Sequence, residues 1–173
     1  MGTRMILSKE RDCRLVTIRR GGTLTDVDHR RLALWAADCA AHVLHHFELA
    51  RPGDTRVRDT IELARAWGRG ELGMKRARQA AFAAKAAREV TGAAKYAAMS
   101  ASQAVVVSHV AAHNLGAAAY AIRAARAAAP EAEQQAAGQR ECAWQRQQIP
   151  ADLRELVLDD QQKRNALCWF VFE

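Results

Sequence analysis

Two groups of residues have the types and spacing to do chemistry. One is Trp35, Cys39, His42 and His46, and the other is His109, His113, Gly116 and Tyr120. At about 100° per residue each set falls on a single arc of a helix. Cys39-x2-His42-x3-His46 and His109-x3-His113 space imidazoles by one turn, as zinc ligands on a helix require. Against a metal site, no glutamate follows His109 in the HExxH manner, and no second cysteine stands near either pair. The expectation is therefore no metal and no cofactor.

Two other readings of the same residues stay open. In the first, the histidine faces meet across a cleft walled by Trp35, Tyr120 and Trp67, and the imidazoles and hydroxyl orient a guest. In the second, His109 and His113 are hydrogen-bonded between packed helices, and Gly116 marks a close approach. The candidate ligand-binding set is Trp35, Cys39, His42, His46, Trp67, His109, His113, Gly116 and Tyr120. Catalytic residues are not expected. GxSxG, P-loop and GxGxxG patterns are missing, and Asp159-Asp160 is the one adjacent acidic pair.

The elements that must hold these residues are helices. Half of the 173 residues are hydrophobic but only 6% are aromatic, so alanine carries much of the apolar content. Alanine loses no side-chain entropy in a helix and lets helices approach closely. The fold expected is all-α: an alanine-rich bundle of about six helices with a short N-terminal β-strand and an apolar C-terminal tail. We expect one domain over residues 1–173, with a strand and turn in 1–24, central helices in 25–129, and C-terminal helices and tail in 130–173.

Residues 13–20, "CRLVTIRR", read as the strand, and Gly21-Gly22 as a turn. Thr25 with Asp28 starts a first helix in the manner of a capping box, running to about Ala50 before Pro52-Gly53. Asp54 or Thr55 caps a second helix, which stops at the glycines of "WGRGELG". A third should run from about Met74 to Val90, with Gly92 beyond it. The uncharged residues 96–122 form one or two helices ending before Pro130, and residues 131–148 a glutamine-rich helix carrying Trp144. Pro150 begins the last helix. The closing "LCWFVF" must bury itself on the core, on the first strand or in a second subunit, so a homodimer is expected.

Residues 96–122 are long enough to span a bilayer. Their serines, Gln103, His109, His113 and Asn114 favour the centre of a soluble bundle instead. The N-terminus lacks the apolar run of a secretory signal, and four dispersed cysteines without a CxxC pair suit a reducing, cytoplasmic setting. The formal charge is +7, from 26 Lys and Arg against 19 Asp and Glu. These cations are scattered and build no long basic arm. A basic DNA-associated or regulatory protein is the alternative reading, which a steep salt dependence of binding would mark.

The runs "LVTIRRGGTLTDVDHRRLALWAADCAAHVLHHFE", "DTRVRDTIELARAWGRGE" and "SHVAAHNLGAAAYAIRA", in that order over residues 15–126, resemble the bacterial putative immunity proteins, an alanine-rich helical family. The resemblance implies neutralisation of a toxin or antibiotic by binding, without chemistry. The matching stretches carry Trp35, Cys39, His42, Arg56, Arg58, Trp67, His109, His113, Gly116 and Tyr120. A partner that is a small molecule, a peptide antibiotic or an acidic toxin is expected, because a basic nuclease toxin calls for an acidic inhibitor.

Overall fold

The computed structural model describes residues 6–73 and 82–173. The described residues form eight α-helices joined by short 3-10 turns, with no strand. They are α1 (Asp26–His42), α2 (Leu44–Ala50), α3 (Arg56–Gly68), α4 (Phe82–Ala87), α5 (Gly92–Val106), α6 (Asn114–Ala128), α7 (Gln134–Gln147) and α8 (Arg154–Arg164). The expected start of the third helix and the basic run at 75–78 lie outside the described residues.

Local chemistry accounts for most of the boundaries. Thr25 Oγ1 accepts from the Asp28 amide at 3.1 Å, with Asp26 and Asp28 in the first turn of α1. Asp54 accepts from the Arg56 amide at 3.1 Å at the start of α3. The stop at Gly68 also matches the sequence expectation, and Gly70 follows with φ 79°. The first long helix breaks at Val43, dividing it into α1 and α2.

The expected N-terminal strand is not formed. Residues 13–20 make two 3-10 turns, Cys13–Leu15 and Ile18–Arg20, and their strand-like pairing is limited to an isolated bridge between Thr17 and Leu24. Asp12 explains the difference. Its carboxylate accepts from the Arg14 amide at 2.9 Å and pairs with the Arg14 guanidinium, closing a turn before a strand can extend.

At the centre, α5 and α6 form an antiparallel pair rich in buried alanine. Ala97, Ala101 and Ala104 of α5 are buried, as are Ala117, Ala118 and Ala121 of α6. Ser100 Oγ donates to the Ala117 carbonyl at 2.7 Å across this contact. α1 and α3 pack on one flank of the pair, while α7 and then α8 cover α6. Trp35 Nε1 donates to the Gln145 carbonyl at 2.9 Å and ties α1 to α7. Arg164 and Asp160 form a buried ion pair on α8. The Arg164 guanidinium also donates to the carbonyls of Ala112 at 2.9 Å and Ile6 at 3.3 Å.

The apolar tail docks within its own chain. Cys168, Val171 and Phe172 are buried, and Trp169 is half-buried against Arg123. Phe170 corrects the expectation that all three tail aromatics are covered, being 54% exposed. Trp169 and Phe170 both take left-handed backbone, φ 56°.

Candidate functional site

The nine candidate residues do not share one cleft. His109 and His113 stand outside any α-helix: His109 lies in the turn after α5, and His113 ends the 3-10 turn Ala111–His113 that leads into α6. Continuous helical geometry through 109–122, which would have put both on the Gly116–Tyr120 face, is therefore broken. The candidates fall into four places.

Trp35 and Cys39 belong to the core. Both are buried, and burial pushes the Cys39 thiol well above its ordinary pKa, with Glu141 adding to the effect. A protonated, enclosed thiol is a poor nucleophile.

His42 and His46 line a shallow groove of about 480 Å³ between the end of α1 and α7. The His42 ring stacks on Trp144 with centroids 3.6 Å apart and planes 5° from parallel. Its Nδ1–H donates to Glu141 Oε2 at 2.7 Å, and the buried Glu141 also accepts from Gln145 Nε2 at 3.0 Å. His46 lies 3.9 Å from the His45 ring; burial, then His45, lowers its pKa.

His113 and Gly116 form the third place. His113 Nδ1–H donates to Gln103 Oε1 at 2.8 Å. Burial, helped by Arg164 and Arg11, lowers its pKa to about 4. Gly116 makes room for Gln103: a Cβ there would lie 2.5 Å from Gln103 Oε1. Tyr120 sits one turn farther along α6, among Tyr96, Trp169 and Arg123. The Arg123 guanidinium is sandwiched 4.2 Å from both the Tyr96 and the Trp169 rings and donates to the Tyr96 hydroxyl at 2.8 Å.

Trp67 and His109 do come together, in a cleft of about 490 Å³. Its walls are the turns at 13–20, the start of α1, the end of α3 and the turn after α5. Arg11, Arg19, Arg20 and Arg30 line it, with Asp26 as the acidic residue among the described ones. Arg19 pairs with Asp26 at 3.0 Å on the exposed rim, and Arg20 Nη1 donates to the His109 carbonyl at 3.1 Å. The Arg30 guanidinium lies 5.9 Å from the Trp67 ring centroid. Gly70 leaves it the space, since a Cβ at that left-handed position would be 2.1 Å from Arg30 Nη1.

His29 forms the floor between these groups. Its Nε2–H donates to the Val107 carbonyl at 2.6 Å, and its ring meets Trp67 edge-on at 4.8 Å. Desolvation lowers the His29 pKa, and Arg20 and Arg19 push the same way against Asp26 and the Val107 bond. The sequence reading passed over His29, although a signal was available. His29, Leu32, Ala33, Ala36 and Ala40 form the i, i+3, i+4, i+7 core stripe of α1, and a histidine on such a stripe needs a polar partner. Arg20, Arg30 and Glu141 were also passed over, since only the folded chain brings each to its partner.

Among the described residues, no group of three or more His, Cys, Asp or Glu could hold a metal ion, and no helix is long and apolar enough to cross a membrane. A family model described as Imm-5 like putative immunity protein matches residues 22–152. Comparisons with curated proteins and with solved structures return no match.

Proposed function

The chain belongs to the Imm-5 like putative immunity protein family, and from that premise we propose that it is a cytoplasmic, non-enzymatic binder that sequesters a toxic small molecule, peptide antibiotic or toxin. The observation that carries this reading is the arginine-lined cleft in which Trp67 and His109 meet. Its volume falls in the range of sites that enclose most of a small ligand or the end of a peptide. One feature supports binding over chemistry: the Cys39 and Cys168 thiols are buried and held protonated, that of Cys168 with its pKa pushed up to about 12.

A nucleic-acid partner would ask for an extended basic track. Arg14, Arg31, Arg56, Arg58, Arg65 and Arg69 are each paired with carboxylates, which favours a local cleft over a track. A homodimer is part of the proposal. The tail is used within its own chain, so a second subunit must dock elsewhere, and light scattering reads its presence.

Deleting the gene should leave its host inhibited by co-culture with the parent strain or by the parent's spent medium. The wild-type gene should restore growth, and Trp67→Ala should restore less while the variant still folds by circular dichroism. A deletion strain that grows beside its parent as well as the parent does removes the reading.

A further inference from the structure

We propose that the cleft beside Trp67 is an oxyanion site, taking a ligand that carries a carboxylate or phosphate next to a flat apolar part. Arg20 and Arg30 meet the charged group, and Leu72, with the small part of Trp67 left exposed beside it, meets the flat part. The proposal rests on the immunity reading only in taking this ligand to belong to the toxic partner.

Charge is the first argument. Four arginines border a cavity of about 490 Å³ against Asp26, which Arg19 already occupies. Arg11, Arg20 and Arg30 are exposed at its edge, where an entering group can reach them.

Preorganisation is the second. A guanidinium carries five N–H donors, so the single bond from Arg20 to the His109 carbonyl fixes the group and leaves donors for a ligand. Arg30 is steered over the Trp67 face, in the space that Gly70 leaves. Carboxylates and phosphates match the planar fork of an arginine, which can bind them through two parallel bonds. Shape is the third argument: Trp67, Leu72, Val110 and Ala111 give one side of the cleft an apolar lining. The size suits a small molecule or one peptide side chain.

The test is calorimetric titration of the full chain with phenyl phosphate, benzoate, inorganic phosphate and neutral benzyl alcohol. At least one of the two aryl oxyanions should bind, about tenfold or more tightly than benzyl alcohol and than inorganic phosphate. Comparing phenyl phosphate with benzoate separates a phosphate source from a carboxylate source. Arg20→Gln and Arg30→Gln should each weaken that binding about tenfold, and added salt should weaken it in the wild type. Arg140→Gln, in the His42 groove, should leave it unchanged. Both cleft arginines are exposed, so folding is expected to survive, and a thermal melt checks it. Binding by neither aryl oxyanion, binding unchanged in both cleft variants, or inorganic phosphate binding as tightly as the aryl compounds overturns the proposal. A deletion strain without a growth defect sinks the immunity reading separately, and the titration still decides the cleft.

Discussion

Gln103 is the residue on which the opening pair of histidines turns out to depend. It accepts from His113 and fills the space above Gly116. Gly116→Ala therefore has two opposing effects. Helix propensity favours alanine by about 1 kcal/mol, while the added Cβ displaces a part-buried hydrogen bond worth about 0.5–1.5 kcal/mol. In wild type the two should nearly cancel. In a Gln103→Ala background only the gain remains, so Gly116→Ala should stabilise by about 1 kcal/mol in urea melts. Equal effects in both backgrounds would show that Gln103 and Gly116 are not coupled. His113 also makes a prediction about pH. Its folded pKa, about 4, lies below the unfolded value near 6.5, so the unfolded chain takes up a proton first. The contribution of neutral His113 is complete above about pH 6.5 and is lost as pH falls toward about 4. It amounts to at most about 3 kcal/mol. His113→Gln should flatten urea stability over that window relative to wild type. Parallel profiles for the two proteins would refute the assignment.

At the scale of elements the C-terminal tail offers the sharpest contrast. Phe172 is buried while Phe170 is 54% exposed on left-handed backbone. Phe172→Ala should cost about 3 kcal/mol. Phe170→Gly should be neutral or stabilise by up to about 1 kcal/mol, because glycine adopts that backbone freely. A loss of comparable size for both would mean that the tail packs differently. The sequence made some boundaries legible and hid others for physical reasons. The Thr25 cap, the glycines after Trp67, and Pro130 and Pro150 act within a few residues of themselves, so a linear reading finds them. The break between α5 and α6 has no such signal, since neither glycine nor proline lies in 107–113. It is made by Val105, Val106 and Val107, stiff in a helix, and by two side chains that compete for backbone. Ser108 Oγ donates to the Val105 carbonyl at 2.8 Å and Asn114 Nδ2 to the Ala111 carbonyl at 2.7 Å. Meanwhile Gly116, which looks like a breaker, lies inside α6. That break takes His109 off the Tyr120 face and into the arginine cleft.

For the molecule as a whole, elemental analysis of the purified protein should find no stoichiometric transition metal. About one zinc per chain, lost on His42→Ala or His113→Ala, would reverse that expectation. The alanine contact between α5 and α6 has one more consequence. Where alanine meets alanine there, almost nothing can be trimmed, because each side chain is already a single methyl group. The contact also has no room for growth, since a larger group would push the helices apart. The centre of the protein is thus closed to gradual variation, and inherited change has to accumulate at the periphery. The exposed residues on the cleft rim, among them Arg11, Arg19, Arg20 and Arg30, lie outside that centre, whereas Val107, Ser108 and Ala111 beneath them are buried. Under selection against successive forms of a toxin, escape and counter-escape should be written at those rim positions, with the helix pair carried along unaltered.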